Sequence, residues 1–305
     1  MTVLQDIYQS RVSSKPTIVD RQDPVVYSQG TPPEELSRDR VEFFQTNGYL
    51  FFETLFDPGE VEILRGELNR LSSDPQIRQL EETIAEPDSD IVRSIFRVHE
   101  LSPLYAQLCQ DQRILKVVEY LLGSPAYIHQ SRVNFKPGFS GKEFYWHSDF
   151  ETWHTEDGMP TMRAVSVAIA LTDNTEFNGP LMVIPGSHQR YVTCVGATPD
   201  NHYQQSLRRQ EYGVPDEASL TELVHQGGLV APKGKAGSAI LFDCNMMHGS
   251  SSNISPFPRS NVFFVYNSVH NRLVAPFGGT KPRPEFIAAR ERSVPLEAQS
   301  PDYGG

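Results

Sequence analysis

The pattern of hydrophobic and polar positions changes about 125 residues into the chain. Before that point, three segments carry helix signals: one ends at Gly48, one begins at Asp57 and one ends near Gly123. Asp57 is followed by Pro58 and, three positions on, by Glu60, which is the arrangement of a capping box with proline in the first turn. Glycine is the usual residue just beyond a helix end. This part of the chain is therefore predicted to be mostly helical, with a short strand after Gly48.

Beyond this point the pattern becomes typical of strands. Short runs alternate or are rich in β-branched and aromatic residues, and turn-rich segments separate them. Most of the intervening segments lack helical periodicity, which argues against a parallel sheet with crossover helices and favours an antiparallel sandwich or jelly roll. The fold class is therefore mainly β with flanking helices. The runs that carry this prediction are AYIHQSRVNFKPG, RAVSVAIAL, SAILFD and NVFFVYNSV.

The domain organisation predicted from the sequence is simple. Residues 1–30 are polar and irregular and form an N-terminal arm, residues 31–290 form a single domain, and residues 291–305 form a C-terminal tail. Residues 190–235 are polar and strand-poor, so we expect an insertion that partly covers one end of the sheet. No internal repeat or low-complexity tract divides the chain.

Composition narrows the class of protein. A net charge of −11, from 27 basic and 38 acidic residues, argues against binding to a nucleic-acid backbone. The three cysteines show no CxxC spacing and indicate reduced thiols rather than a disulfide framework. No apolar run approaches the ~20 residues of a membrane-spanning helix, and the first residues contain no apolar signal segment. We therefore expect a cytoplasmic protein that binds neither nucleic acid nor membrane.

One stretch, FYWHSDFETWHTEDG (144–158), carries the densest chemistry, with two histidines, two tryptophans and four carboxylates in fifteen positions. A solvated loop does not need the tryptophans, and a core strand does not tolerate the charges. His147 and Asp149 are two positions apart, so on a strand their side chains would share one face, with Cα atoms ~7 Å apart. Both could then bind one ion.

A third ligand is expected from another strand. Among the nine histidines, His248 is the best placed, because it follows the predicted strand SAILFD and precedes a Gly/Ser turn. Two histidines and one carboxylate with open positions opposite form the facial triad of non-haem Fe(II) oxygenases. Chance occurrence of an HxD pair is the simpler alternative. A second alternative is a zinc site on a helix, because His154 lies seven positions after His147 and would align with it there. Gly158 and a nearby proline argue against a long helix in this segment.

Arg259 lies eleven positions after His248 and is well placed to bind a carboxylate with its planar fork. The 2-oxoglutarate co-substrate of such enzymes needs a cation for its distal carboxylate. This pattern, an HxD pair followed by a later histidine and then by Arg259, resembles that of the Fe(II)/2-oxoglutarate dioxygenases. The segment NGPLMVIPGSH (178–188) is similar to the phytanoyl-CoA dioxygenase superfamily. This resemblance implies a double-stranded β-helix core of the jelly-roll, cupin-like type. Because related halogenases replace the carboxylate ligand by a small residue, Asp149 favours hydroxylation.

The longer string FYWHSDFETWHTEDGMP (144–160) resembles the signature segment of the ectoine hydroxylases, and the similarity extends over roughly residues 95–290. The resemblance implies that the domain is catalytic and hydroxylates ectoine to 5-hydroxyectoine, with succinate and CO2 as co-products. The implied cofactor is Fe(II), and the co-substrates are 2-oxoglutarate and O2. This activity belongs to compatible-solute biosynthesis and the osmotic stress response.

Site residues follow from strand alternation and from the resemblance. Gln130, Arg132, Asn134 and Lys136 share one face of their predicted strand and would line a wet cavity. An exposed sheet face is the alternative. Trp153 offers an aromatic face for the amidinium cation of ectoine.

The resemblance implies that oxidation occurs at iron held by His147, Asp149 and His248. It also implies that Gln130 and Trp153 bind ectoine and that Lys136 contacts 2-oxoglutarate. Further candidates come from the residues themselves. Arg259, Asn134 and Ser250 are candidates for 2-oxoglutarate. Asn261, which shares a predicted strand face with Arg259, and Arg283, which could close over the substrate carboxylate, are candidates for ectoine, although Arg283 could instead be a surface residue.

Two alternative functions are compatible with parts of the pattern. The same chemistry could act on another small cyclic amino acid such as proline. A non-catalytic β-sandwich with a structural zinc ion would need a fourth ligand, and none stands at a convincing spacing. The sequence also leaves open whether the protein is a homodimer.

Overall fold

The structure, a computed structural model, describes residues 6–86, 90–199, 202–206, 212–300 and 303. Parts of three predicted segments lie outside the described residues. These parts are residues 1–5 of the N-terminal arm, residues 200–201 and 207–211 of the predicted insertion, and residues 301, 302, 304 and 305 of the tail.

Two facing sheets form the centre of the fold. The larger sheet has seven strands in the order β2-β10-β7-β12-β5-β4-β3, the smaller has the order β6-β11-β8, and β1 pairs with β9. Every pairing between these strands is antiparallel, which confirms the prediction of a jelly roll over a parallel sheet. The strands are β1 (Ile18–Asp20), β2 (Tyr49–Phe52), β3 (Thr83–Ala85), β4 (Val92–Phe96), β5 (Ala126–Lys136), β6 (Phe144–His147), β7 (Ala164–Ala170), β8 (Leu181–Val183), β9 (Arg190–Val192), β10 (Ala239–Asp243), β11 (His248–Ser250) and β12 (Arg259–Ser268).

Helices alternate with strands before residue 125, so this part is less helical than the sequence predicts: besides the predicted strand after Gly48, it contains β1, β3 and β4, and the last two join the larger sheet. The predicted helix ends are confirmed: Gly48 and Gly123 adopt left-handed conformations after α1 and α5, and Asp57 and Glu60 form the capping box of α2. The helices are α1 (Arg38–Asn47), α2 (Pro58–Ser73), α3 (Val98–Leu101), α4 (Pro103–Leu108), α5 (Gln112–Leu122), α6 (Asp149–Thr152), α7 (Tyr203–Ser206) and α8 (Glu217–Gly227), with a π-helical turn at Trp153–Asp157 and 3-10 turns at Ile77–Gln79 and Ser187–Gln189.

The larger sheet has two different faces. On one face, apolar side chains of β7 and β12, such as Val167 and Phe264, pack against α2, α4 and α5 in the main hydrophobic core. On the other face, Ala168 and Phe263 contact the smaller sheet through Leu181. Because side chains alternate along a strand, the residues between the core positions point into the space between the sheets.

A β-bulge in β5 changes which residues face that space. Val265 of β12 pairs with Gln130 and Tyr266 pairs with Ile128, so His129 is an extra residue on β5. A bulge shifts the side-chain alternation of its strand. Ile128 and Val133 therefore both reach the main core, although they are five positions apart. The even-numbered polar residues of β5 from 130 onward face the smaller sheet.

Segments near both ends of the described part of the chain are bound to the body of the protein. In the N-terminal region, β1 pairs with β9, so the arm adds a strand beside the segment that follows the smaller sheet. Near the C-terminus, the backbone N–H groups of Leu296 and Gln299 donate to carbonyl groups of Ala126 and Gln110, each at 2.8 Å. Within the described part of the chain, no helix combines the length and the apolar character that crossing a membrane requires.

Candidate active site

The three predicted metal ligands meet where the smaller sheet ends. His147 is the last residue of β6, His248 is the first residue of β11, and these two residues are paired in register. Asp149 is the first residue of α6. The three residues offer ligand atoms that all lie within 4.8 Å of one another. The structure thus brings together side chains that are about 100 positions apart in the sequence.

The prediction that His147 and Asp149 share a strand face is wrong. The strand ends at His147, and Ser148 turns the chain into α6, so Asp149 approaches the ion position from a helix. The turn is held from both sides. Ser148 Oγ donates to Asn245 Oδ1 at 2.9 Å, and the N–H of Phe150 donates to the carbonyl of Cys244 at 2.8 Å. We refer to residues 149–157, which comprise α6 and the π-helical turn, as the active-site helix.

The geometry of the three ligands fits one small metal ion. Asp149 Oδ1 is 3.6 Å from His147 Nε2, and Asp149 Oδ2 is 3.9 Å from His248 Nε2. Donors that each lie ~2.1 Å from a shared ion are at most ~4.2 Å apart. The imidazole rings of the two histidines are adjacent and tilted by 52°, with centroids 4.2 Å apart.

Hydrogen bonds prepare both histidines for metal binding. Nδ1 of His147 lies 2.7 Å from the carbonyl oxygen of Tyr145, and Nδ1 of His248 lies 2.9 Å from that of Met246. With the proton on Nδ1, each ring presents the lone pair of Nε2 to the ion. Burial, followed by the neighbouring His147, lowers the pKa of His248 to about 4, which keeps this ring neutral.

Asp149 is held in its charged form. Burial alone would raise the pKa of this carboxyl group, but His248, His147 and Arg132 outweigh that effect and lower the pKa well below its usual range. A carboxylate and two neutral imidazoles are the donor set that suits Fe(II) in a facial triad. Among the described residues, no fourth ligand joins the group, so a closed tetrahedral zinc shell is not formed.

His154, the candidate for an alternative zinc site, has a structural role. Its Nδ1 lies 2.8 Å from the carbonyl oxygen of Met159, and its Nε2 lies 2.9 Å from Asp6 Oδ1. The ring stacks on Phe277 with centroids 4.0 Å apart. The active-site helix ends soon after, because Gly158 adopts a left-handed conformation that places its Cα close to the carbonyl of Val274. These contacts separate His154 from the metal ligands.

A cavity opens beside the metal ligands. Its empty space is about 710 Å³, including open solvent at its mouth. The predicted residues Gln130, Asn134, Trp153 and Arg283 line it together with His147 and Asp149. The complete lining is Ser94, Phe96, Gln130, Arg132, Asn134, Phe144, His147, Asp149, Thr152, Trp153, Glu156, Tyr212 and Arg283.

Two buried cations lie close to this cavity on β5 and β12. Lys136 and Arg259 are direct neighbours in the β5–β12 register. Lys136 Nζ donates to Ser250 Oγ at 2.8 Å and to the carbonyl of Ser251 at 2.5 Å. Asn134, two positions before Lys136, accepts a hydrogen bond from a serine of β4. The four residues predicted to bind 2-oxoglutarate are thus grouped, and we call this group the cation pair end of the site.

Neither cation has a carboxylate partner within 4.0 Å among the described residues, and Nε of Arg259 is buried without a hydrogen-bond partner. Burial, followed by the charges of Arg259 and Arg93, lowers the pKa of Lys136 to about 6. Burial also lowers the pKa of Arg259 to about 10. Unpaired buried cations are costly, so this arrangement indicates a site for the carboxylate of a ligand.

A second group, Trp153, Gln130 and Arg283 with the residues that hold them, is called the substrate end of the site and is built differently. Trp153 is buried on the active-site helix, and its ring meets the edge of His129 at a centroid distance of 5.0 Å. Gln130 Nε2 donates to the carbonyl of Ile287 at 2.7 Å, which fixes the amide at the cavity wall. Arg283 is bound by Asp157 through Nε at 2.7 Å and Nη2 at 2.5 Å.

Asn261 lies elsewhere than predicted. It pairs with Asn134 across the β5–β12 register, and with its amide oxygen turned toward Arg259 it accepts from Arg259 Nη1 at 2.9 Å. The structure therefore places Asn261 beside the residues predicted for 2-oxoglutarate rather than among the cavity-lining residues.

Some lining residues were not identified from the sequence. Phe144, Thr152 and Glu156 belong to the stretch 144–158, whose density of polar and aromatic residues indicates a binding site without showing which residues line it. Arg132 was recognised only as sharing a strand face. Ser94 and Phe96 of β4, and Tyr212 of the predicted insertion, carried no sequence signal, because their approach to the cavity depends on long-range packing.

Comparison with known proteins agrees with this geometry. Residues 44–261 match the family model for phytanoyl-CoA dioxygenase (PhyH). A protein of Bordetella bronchiseptica named ectoine dioxygenase is 56% identical over 287 residues, which cover 94% of this chain and 93% of that protein. A protein of the same name from Sphingopyxis alaskensis is 53% identical, and the match covers 97% of each chain.

Solved structures give the same result. EctD from S. alaskensis, with 2-oxoglutarate and 5-hydroxyectoine, superposes with a TM-score of 0.90 at 48% identity, covering 98% of this chain and 100% of that one. The same protein with bound Fe gives a TM-score of 0.88. The carbocyclase SnoK, 19% identical over 88% of this chain and 98% of its own, shares the fold with a TM-score of 0.63. The chain belongs to the phytanoyl-CoA dioxygenase family and, within it, to the ectoine dioxygenases.

Proposed function

We propose that this enzyme hydroxylates ectoine to 5-hydroxyectoine, with Fe(II) as cofactor and with 2-oxoglutarate and O2 as co-substrates that yield succinate and CO2. One observation carries the proposal. The His147–Asp149–His248 cluster lies at a cavity lined by the buried Trp153, and the cavity-lining Asn134 leads along β5 to Lys136 and its neighbour Arg259, two buried cations without carboxylate partners among the described residues. Relatives named ectoine dioxygenase, and an EctD structure with 2-oxoglutarate and 5-hydroxyectoine, support the choice of substrates.

The three ligands would hold Fe(II) by two imidazole nitrogens and one carboxylate oxygen. Bound iron, together with 2-oxoglutarate and O2, supplies the oxidising power that replaces a C–H bond of the substrate by C–OH. The protein contributes the orientation of the ligands. Carbonyl groups of Tyr145 and Met246 hold the two imidazole rings, and Ser166 Oγ, 3.3 Å from Asp149 Oδ2, steadies the carboxylate.

At the cation pair end, Lys136 and Arg259 would bind the distal carboxylate of 2-oxoglutarate. The planar guanidinium of Arg259 can donate two parallel hydrogen bonds to one carboxylate, while Lys136 adds a compact charge. Ser250 and Asn134 hold polar atoms beside them and would complete the binding site. Binding of the dicarboxylate satisfies both cations and thereby relieves the cost of burying them.

At the substrate end, Trp153 and Gln130 would position the ectoine ring. The indole face attracts a delocalised cation such as the amidinium of ectoine by ~0.5–2 kcal/mol. Arg283 lines the same cavity, and its Nη1 has no hydrogen-bond partner among the described residues, so it can donate to the carboxylate of ectoine. Asn261 would act through Arg259 rather than by direct contact. Orientation matters because a ~1 Å misplacement can cost on the order of a hundredfold in rate.

We also propose the domain organisation predicted from the sequence: an arm over residues 1–30, one catalytic domain over residues 31–290 with an insertion at 190–235, and a tail over residues 291–305. A cytoplasmic location is supported by three buried cysteines that form no disulfide.

A coupled assay tests the function. The protein is loaded with Fe(II) without oxygen, then given O2 and 2-oxoglutarate, and succinate and hydroxyectoine are measured with and without ectoine. We expect succinate to form in step with hydroxyectoine. Succinate that is unaffected by ectoine but rises with proline would assign the same chemistry to a different cyclic amino acid. No succinate from iron-loaded protein would contradict the dioxygenase function itself.

A further inference from the structure

The active-site helix carries three buried carboxylates that the proposed chemistry does not use. Glu151, Glu156 and Asp157 are 1%, 5% and 0% exposed. A buried carboxylate without a cation or hydrogen-bond donors is strongly unfavourable, so each needs a partner. The structure supplies two arginines from opposite ends of the chain, one from the N-terminal arm and one from the segment that follows the last strand.

Arg11, in the N-terminal arm, binds two of these carboxylates. Its Nε and Nη2 donate to the two oxygens of Glu151 at 3.0 and 2.7 Å, and its Nη1 donates to Glu156 Oε1 at 2.6 Å. Arg11 is 8% exposed and adopts a left-handed backbone conformation with φ of 62°. This conformation is uncommon for a residue with a side chain. It is held by a backbone hydrogen bond from Arg11 to Cys194 at 2.9 Å.

Other residues of the arm contact the same helix. Ser10 Oγ donates to Glu151 Oε1 at 2.5 Å, and Asp6 Oδ1 lies 2.9 Å from His154 Nε2. The arm therefore binds along the active-site helix over more than one turn, and Arg11 is a buried cation of the arm that contacts this helix.

Glu156 lies between the two arginines. Its Oε1 is bound by Arg11, and its Oε2 is 3.7 Å from Arg283 Nε. Glu156 and Arg283 both line the cavity, whereas Arg11 does not. Arg283 is held on Asp157 by two hydrogen bonds. If Arg11 were removed, Arg283 would be the remaining cation in contact with Glu156 among the described residues. Glu156 would then compete with Asp157 for the Arg283 guanidinium.

We propose that Arg11 is a positioning residue for the ectoine pocket. By binding Glu156 and Glu151, Arg11 leaves Arg283 on Asp157, with its Nη1 available to the substrate. The N-terminal arm thus determines the geometry of a cavity that it does not enter. The inference rests on the proposed function for the identity of the substrate, but the arrangement of the charges is independent of it.

The first test is the Arg11→Met variant, assayed as the full, iron-loaded chain at saturating 2-oxoglutarate. We expect the KM for ectoine to rise about tenfold or more, while kcat changes less. Anaerobic calorimetry should show a parallel loss of ectoine affinity. Iron content and the KM for 2-oxoglutarate should stay at the wild-type values, because the cation pair end shares none of these groups.

Two double variants separate positioning from stability. In Arg11→Met/Glu156→Gln, the competitor for Arg283 loses its charge, so the KM for ectoine should return most of the way to the wild-type value. In Arg11→Met/Glu151→Gln, a buried carboxylate also loses its charge, but Glu151 neither lines the cavity nor contacts Arg283. This variant should regain thermal stability without regaining ectoine affinity. Both double variants remain informative if Arg11→Met alone fails to fold.

Two further variants serve as controls. Arg11→Lys keeps the charge but loses the planar fork, so it should give an intermediate KM for ectoine. Arg113 forms ion pairs of 2.7 and 2.6 Å with Glu60 and Asp111, away from the cavity. Arg113→Met should leave the KM for ectoine unchanged even if it lowers the melting temperature.

Two results would overturn the positioning role: a wild-type KM for ectoine in Arg11→Met, or equal recovery of ectoine affinity in both double variants. Wild-type enzyme that does not convert ectoine would instead overturn the proposed function, and that result is seen before any variant is made. The two failures are therefore distinguishable.

Discussion

The two ends of the site bury their cations in opposite ways. At the cation pair end, Lys136 and Arg259 have no carboxylate partner among the described residues, and burial lowers their pKa values to about 6 and about 10. At the substrate end, Arg11 and Arg283 are also buried, but adjacent carboxylates outweigh burial and raise their pKa values above the usual range. The difference teaches that burial alone does not define a binding residue. A buried cation without a carboxylate partner indicates a ligand-binding site, whereas one with carboxylate partners stabilises the protein structure.

The backbone differs between the two ends as well. Lys136 and Arg259 lie on the long paired strands β5 and β12, where the register fixes their separation. The substrate end depends on a short helical segment and on arginines from both chain ends. A strand pair is rigid without further support, whereas a two-turn helix needs ion pairs to fix its position.

The largest expected effect lies where the two ends meet. His147→Ala, Asp149→Ala or His248→Ala should lose iron and lower turnover by more than about a hundredfold, because losing a group that merely orients a ligand already costs ~10–100-fold. Bound iron and succinate formation measure the effect. The exposed His225 provides a control, and His225→Ala should keep both. A triad variant with full iron content and full rate would disprove the assignment of that ligand.

The second prediction contrasts Arg283 with Arg259. Arg283→Met leaves Asp157 buried without its cation, so it should destabilise the protein by ~3–5 kcal/mol. Arg259→Met removes an unpaired cation and should cost little stability, while the KM for 2-oxoglutarate rises at least ~30-fold. Denaturant unfolding and steady-state kinetics measure the two effects. Equal destabilisation by both substitutions would contradict the distinction between the two ends.

Features that depend on local sequence could be predicted, whereas features that depend on contacts between distant segments could not. Helix caps at Asp57 and Gly123 are local signals, and strand alternation placed Gln130 and Asn134 on the cavity face. The assignment of Asp149 to a strand failed because the turn at Ser148 depends on contacts with the distant segment before β11. Ion pairs that join residues about 140 positions apart leave no periodic signal.

Composition nevertheless contained a clue. The four carboxylates of FYWHSDFETWHTEDG exceed what one metal ion needs, and the structure assigns three of them to arginines. An excess of buried charge in a short segment therefore predicts partners, but it does not reveal where in the chain they lie. Arg11 could not be chosen over other arginines without the three-dimensional arrangement.

The third prediction concerns the aromatic face at the substrate end. Trp153→Ala should raise the KM for ectoine by ~2–30-fold, which corresponds to a cation–π attraction of ~0.5–2 kcal/mol. Iron content should not change, because Trp153 is not one of the three residues that offer ligand atoms. Trp153→Phe keeps an aromatic face and should lose less affinity. An unchanged KM in the alanine variant would remove Trp153 from the substrate site.

The last prediction is a pH dependence confined to the cation pair end. With a pKa of about 6, lowered first by burial and then by Arg259 and Arg93, Lys136 is mostly neutral in the free enzyme above pH 6. A bound dicarboxylate favours the charged form, so 2-oxoglutarate binding takes up a proton. Affinity should therefore fall as pH rises from 6 to 8, by at most ~tenfold per pH unit for one proton.

Anaerobic calorimetry in two buffers with different ionisation enthalpies measures this proton uptake directly. Lys136→Met cannot take up the proton, so its weaker binding of 2-oxoglutarate should show no such pH dependence. The substrate end supplies the contrast: because Arg283 stays charged at every pH in this range, ectoine affinity should stay level where 2-oxoglutarate affinity falls. A parallel decline of both affinities would mean that the titrating group is shared, and that the two ends are not electrostatically separate.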